Sequence, residues 1–219
     1  MINIIHFDTE GGWGGSSVSL FKIVKNLDKN YFKSFVICRK KGPILKQYKK
    51  INTFAELNTD LYSFSPKPKI NNLKLFVTTI PQFLFFFRGI LKALSIIKNK
   101  KIDLIHLNFE GFFLLGIILK LITNLPIILH YRSTIPLNSI SHKFISYLIV
   151  NYVANHIIFI SKTEKKKFFK IYPKFNKIKS TVIYNFSDCR YIKYTNRKDL
   201  TYIGNISYAK GVDKLFDLA

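Results

Sequence analysis

The sequence predicts an α/β fold, a doubly wound parallel sheet with helices on both faces. Short runs rich in Ile, Leu, Val and Phe alternate with longer stretches whose apolar residues recur at helical spacing. Those short runs are continuous rather than alternating, as strands buried on both faces of a parallel sheet must be. The first of them breaks into glycines and restarts at once as a helix, a turn that belongs to such sheets.

The chain opens on a strand pattern, with Ile2, Ile4, Ile5 and Phe7. Gly11-Gly12-Trp13-Gly14-Gly15-Ser16-Ser17 follows. Val18, Leu20, Phe21, Ile23, Val24 and Leu27 then mark a helix whose expected N-cap is Ser16 or Ser17. Residues 35–38 read as a second strand and 60–64 as a weak third. Beyond the Pro- and Lys-containing loop at 65–69, residues 73–98 read as a long helix, broken or restarted near Pro81. Further strands are expected at 103–107, 126–131, 156–160 and 181–184. Helices are expected at 112–121, 141–153 and 163–172, the last capped by Ser161 or Thr163.

Residues 1–186 are expected to form one domain and the polar stretch 187–198 a linker. Residues 199–219 carry a strand at 200–203, a loop and the first turns of a helix. A strand and part of a helix cannot bury their own apolar faces, so they are expected to open a second domain whose remainder is missing.

Of 219 residues, 48% are hydrophobic, enough for a substantial core and against disorder. The charge is the outlier: 35 Lys and Arg against 12 Asp and Glu give +23. Such a surface favours phosphorylated substrates, anionic lipid headgroups or nucleic acid. The joint abundance of Lys, Asn, Ile, Phe and Tyr has a second reading, the coding bias of an AT-rich genome. No nucleic-acid recognition motif accompanies the charge, so nucleic acid is not an expected partner. Cys38 and Cys189 match no metal or redox spacing. The N-terminus lacks the basic-then-apolar pattern of a leader, and the expected location is the cytoplasm. Apolar runs at 76–97, 109–129 and 140–160 are each interrupted by charged or polar residues, and none reads as a membrane span. Contact with the inner face of the plasma membrane through a basic, apolar helix is the expectation instead.

Where the glycine stretch joins strand to helix, unpaired backbone N–H groups and the positive end of the helix dipole could hold a phosphate or a sugar hydroxyl. A tight turn without ligand is the alternative. The spacing fits neither the dinucleotide fingerprint nor a P-loop. Carboxyl ends of parallel strands share one rim, and ligands collect there. That places the glycine stretch, the residues after Leu107, the segment after Leu129 and Ser161 together. Glu10 and Asp8 flank the glycines; either could orient an acceptor hydroxyl, or Asp8 could cap the turn. His130 and His106 end strands and could be hydrogen-bonded core histidines. Arg132 either binds a phosphate or sugar acid or pairs with a carboxylate. Lys162 and Lys165–Lys167 are a phosphate patch or a solvated helix face.

In order along the chain, several segments resemble family 4 glycosyltransferases. They are the glycine stretch with Ser16, Asp103-Leu104-Ile105-His106-Leu107, Ile128-Leu129-His130-Tyr131-Arg132-Ser133 and Phe159-Ile160-Ser161-Lys162. Val182-Ile183-Tyr184-Asn185 with Asp188 and Tyr202-Ile203-Gly204-Asn205-Ile206-Ser207 running into Lys210-Gly211-Val212-Asp213 complete the set. The resemblance implies a GT-B architecture of two Rossmann-like domains, the first holding the acceptor and the second the nucleotide sugar. It implies retaining transfer from a nucleotide-sugar donor onto a polysaccharide or lipid-linked acceptor, with the donor as substrate, no cofactor and no metal. Gly14, Gly15 and Ser16 would approach the donor phosphates or sugar. His130 would face the donor sugar as the catalytic histidine, and Lys210 would neutralise the departing diphosphate. Arg132, Ser161 and Glu10 are secondary or acceptor-side candidates. Asn205 stands where the family usually has arginine, so half of a cationic clamp is absent. The family's E-x7-E segment does not occur, and the fragment is expected to be inactive alone. A nucleotide-sugar 2-epimerase of the same architecture, and a non-catalytic sugar-binding or membrane-docking remnant, are the alternatives.

Overall fold

The computed structural model describes residues 1–63, 72–132, 140–175 and 178–186. Residues 1–186 form one compact unit, and the expected linker and second-domain segment lie outside the described residues. Strands β1 (Ile2–Asp8), β2 (Phe32–Cys38), β3 (Phe54–Leu57), β4 (Leu104–Leu107), β5 (Ile127–Tyr131), β6 (His156–Phe159) and β7 (Ser180–Val182) pair in parallel, in the order β3-β2-β1-β4-β5-β6-β7. The winding reverses between β1 and β4, whose register sets His6 beside His106 and Phe7 beside Leu107. Loops leaving two neighbouring strands in opposite directions open a crevice there, the place where ligands of such sheets bind.

Alternation along each strand sorts side chains onto two faces. Ile5, Phe7, Ile37, Ile105, Leu107, Leu129, Tyr131, Ile157 and Phe159 fill one. That face packs under α3 (Asn72–Asn99), α4 (Phe113–Thr123), α5 (Ile140–Leu148) and α6 (Lys162–Ile171), through residues such as Ile90, Ala93, Leu115, Ile145 and Phe168. The opposite face holds a smaller core of Leu20, Val24, Val36, Cys38, Ile44 and Tyr48 beneath α1 (Gly15–Asn26) and α2 (Ile44–Lys50). Beside it the same face is polar: half-buried Ser34 and buried His6, His106 and His130 succeed one another across β2, β1, β4 and β5.

Three expectations are corrected, and one helix went unread. The third strand is β3, not residues 60–64. There, Asp60 leads toward the segment outside the described residues and pairs with Arg88 on α3 at 2.7 Å. Edge strand β3 carries Ala and Glu, residues depleted from strands, and all four of its positions are half-buried. Helix α2 went unread because its lysines leave only Ile44 and Tyr48 on the buried face. Helix α3 runs unbroken through Pro81. The N-cap of α1 is Gly14 rather than a serine. The Val18 N–H already donates to the Gly14 carbonyl at 2.9 Å, and the Ser17 hydroxyl turns inward to the Glu10 carbonyl at 3.3 Å.

Two glycines have a shared structural reason. A Cβ on Gly11 would collide with the Lys40 carbonyl, and one on Gly42 with the Gly11 carbonyl. The β1–α1 and β2–α2 loops touch backbone to backbone, joined by Ile44 N–H to Gly11 O at 3.1 Å. No helix among the described residues is long and apolar enough to cross a membrane.

Candidate functional site

Asp8 ends β1 and Asn108 follows β4, so the two meet at the reversal of winding. Asn108 is fully buried, and its backbone N–H donates to Phe7 O at 3.0 Å. Its Nδ2 donates to Asp8 Oδ1 at 3.0 Å and to the Ser16 carbonyl at 3.2 Å, tying the first turn of α1 to the sheet. Its Oδ1 accepts from Arg132 Nε at 3.0 Å and Nη2 at 2.7 Å, while its carbonyl accepts from Nε at 3.1 Å. Glu110, buried in the turn after β4, accepts the Arg132 backbone N–H at 3.2 Å. Arg132 is thereby aimed before any ligand arrives.

Burial pushes the Asp8 carboxyl up; bonds from Ser17, Asn108 and the Thr9 backbone and the Arg132 charge oppose it. Burial draws Arg132 down to about 10 against the pull of Asp8 and Glu110, so it stays charged at neutral pH. Burial lowers His6 to about 3 and His106 well below its ordinary value. His130 falls to about 3 through burial first and the Arg132 charge second. All three histidines are neutral. His6 Nδ1 and His106 Nδ1 lie 2.9 Å apart, one donating to the other, and His6 Nε2 meets Ser34 Oγ at 3.1 Å. Arg132 Nη2 lies 3.4 Å from His130 Nδ1 and can only donate, which assigns the His130 proton to Nε2. That Nε2 has no partner among the described residues, and the ring is 1% exposed.

Above this network lies a cavity of about 310 Å³ lined by Thr9, Glu10, Ser16, Arg39, Lys40, Ser63, Phe109 and Arg132. Glu10, Ser16 and Arg132, three residues singled out from the sequence, come together in it. Gly14 touches its edge through Glu10, whose Oε2 a Gly14 Cβ would meet at 2.6 Å, and Gly15 faces open space. Ser161 is spent on capping α6, accepting the Glu164 N–H at 3.1 Å. Lys210 and Asn205 lie outside the described residues. His106 is a hydrogen-bonded core residue. A larger cavity of about 630 Å³, lined by Met1, Phe32, Thr53 and Phe54 among others, sits at the opposite ends of the strands. The crevice rule favours the smaller one. Sequence reading missed Asn108, Glu110, Arg39 and Lys40. Their only signal was position, one to three residues past a strand end. No group of three or more metal-binding side chains gathers among the described residues.

The family model described as Glycosyltransferase Family 4 matches residues 13–191. The chain belongs to glycosyltransferase family 4. Solved structures agree on the fold. The lipopolysaccharide outer core galactosyltransferase WaaB matches at TM-score 0.59 and 14% identity, over 99% of this chain and 57% of its own. HepE from Anabaena, solved with UDP-glucose, matches at 0.58 and 18%, over 86% and 45%. A glycosyltransferase from Rickettsia africae matches at 0.53 and 16%, over 84% and 42%. No curated protein matches the chain in sequence. The family 4 chain spans about half the length of these structures, and its seven-stranded parallel sheet is a Rossmann-like sheet of the kind found in GT-B amino-terminal domains.

Proposed function

We propose that this family 4 chain is the acceptor-side part of a glycosyltransferase that moves a sugar, with retention, from a nucleotide-sugar donor onto a glycan or lipid-linked acceptor. The observation that carries the reading is the rim cavity, where Glu10, Ser16 and Arg132 converge beside the glycine turn at the reversal of winding. HepE, a structural neighbour, was solved with UDP-glucose, which supports a nucleotide sugar as donor. Glu10 is the carboxylate placed to orient an acceptor hydroxyl, Arg132 the fixed cation beside it, and His130 the neutral imidazole below. Gly14 and Gly15 leave the first N–H groups of α1 approachable. Lys210 is proposed to meet the leaving diphosphate.

Amide NMR shifts of the chain test this with glucose and galactose oligosaccharides and UDP-glucose as probes. Oligosaccharides should shift Thr9, Glu10, Ser16 and Phe109. Shifts confined to the opposite cavity, near Phe32 and Phe54, would overturn the placement. The 219 residues alone are expected not to release nucleotide from UDP- or GDP-sugars, because Asn205 replaces an arginine and the matched region is acceptor-side.

A membrane-facing role also has an observation behind it. Helix α3 exposes Leu84 and Leu91 at 68% and 66%, with Phe85 beside them. On a chain of +23, that is the composition of a helix that rests on an anionic surface.

A further inference from the structure

The cations of the rim cavity are not equally committed. Arg132 is held by Asn108, with Asp8 and Glu110 offsetting its charge. Lys40 reaches Glu10 only at 3.8 Å, and the two side chains are 56% and 46% exposed, a pair too loose and wet to cancel either charge. Arg39 is different. It directly follows β2, and its backbone N–H is pinned to the Asp8 carbonyl at 2.9 Å, so its side chain starts from a fixed point. Its Nε is buried, and among the described residues it has no hydrogen-bond partner. A guanidinium keeps its charge at neutral pH, and a buried donor left unpaired is destabilising.

Neutral hydroxyls would meet the bond requirement and leave the charge unmatched; an oxyanion meets both. A guanidinium fork presents two parallel N–H groups to phosphate or carboxylate oxygens. Hydroxyls of Thr9, Ser16 and Ser63 line the same space and can donate to remaining oxygens. Glu10 carries the opposing charge, and Lys40, 3.8 Å from it, offsets that charge in part. We infer that the cavity takes an oxyanionic group of the acceptor, a phosphate ester or a sugar carboxylate, with Arg39 as its principal contact. This deepens, and rests on, the reading of the cavity as the acceptor site.

Calorimetric titration of the chain with glucose 6-phosphate, glucuronate and glucose tests it at about 0.15 M ionic strength. One or both anionic sugars should bind at least about tenfold tighter than glucose, a difference of about 1.4 kcal/mol. The anion preferred names the source, phosphate or carboxylate. Arg39→Gln should abolish the preference, and Arg39→Lys should keep part of it, which separates lost contact from lost fold. Lys100→Gln, beside the opposite cavity, should leave it unchanged. Three equal affinities, or a preference that survives Arg39→Gln or falls with Lys100→Gln, would overturn the inference. Neutral oligosaccharides that shift the rim amides while anionic sugars gain nothing would sink this inference and leave the acceptor reading standing. Rim amides that no sugar moves would sink both.

Discussion

Asn108 holds Arg132 from one side and Asp8 from the other: its Oδ1 takes two guanidinium N–H groups at 3.0 and 2.7 Å, and its Nδ2 reaches Asp8 Oδ1 at 3.0 Å. Its amide supplies one acceptor and one donor group to a half-buried cation and a buried carboxylate at once, which neither an acid nor a base could do. Asn108→Ala should therefore lower stability by about 2–3 kcal/mol, since partners on both sides lose their bonds. Urea midpoints check this, and a variant as stable as the parent would show that the bridge carries little. Asn108→Asp should be at least as damaging, because it sets a second carboxylate against Asp8.

The glycine turn separates into packing and open positions. Gly11→Ala should cost about 2 kcal/mol or more, because the new methyl meets the backbone of the Lys40 loop, which cannot move aside cheaply. Gly12→Ala, with open space at its Cβ, should stay within about 0.5 kcal/mol of the parent. Equal thermal shifts for the two variants would contradict the loop-to-loop contact.

Buried neutral histidines give the fold an acid weakness. His6, His106 and His130 have folded-state values below their unfolded value of about 6.5, so the unfolded chain binds more protons below that pH. Their stabilising effect is complete above pH of about 6.5 and is lost as pH falls below it, toward about 3 for His6 and His130. Each contributes up to about 1.4 kcal/mol per pH unit across that window. The raised Asp8 value acts in the opposite sense, as a single group titrating from near 3.8 upward. Melting temperature should drop steeply between pH of about 6.5 and 5, and His106→Gln should flatten that slope. A flat melting profile over the same range would contradict neutral burial.

For any preparation containing these residues that transfers sugar, His130→Ala should cut turnover by about 10²-fold per folded molecule, or about 2.7 kcal/mol of transition-state binding. The unpartnered Nε2 proton is the group expected to make that contact. A histidine that only packs predicts instead a lower melting temperature with activity lost only in proportion to folded protein. Near-normal turnover per folded molecule would take His130 out of the site.

Vesicle binding should require anionic lipid and weaken with salt, since each Lys or Arg near such a surface adds about 1 kcal/mol that salt screens. Leu91→Glu on the exposed stripe of α3 should weaken it further. Co-sedimentation measures both, and equal binding to neutral vesicles would refute the electrostatic part.

Much of the sheet was legible because continuous apolar runs such as 35–38 and 103–107 have few other places to go. Elements failed to show where that signal thinned. β3 carries Glu56 and is buried at no position, and α2 has lysines at most of its surface positions. Both lie at the edge, where a strand or helix needs little apolar surface to dock. The site was legible as a rim and as a few residues on it. Asn108 and Arg39 were invisible because one asparagine and one arginine after a strand look like any others in a chain with 35 basic residues.

Periodicity is a local property, so the sequence by itself determined the parallel α/β class, the glycine turn and the positions of His130 and Arg132 at a strand end. The burial of a charge and the identity of its partner depend on residues about a hundred positions apart. Only the tertiary structure could join Asp8 to Asn108, His6 to His106 and Ser16 to Arg132 across the reversal of winding. It did so because parallel strands bring their carboxyl ends to one rim whatever their distance along the chain.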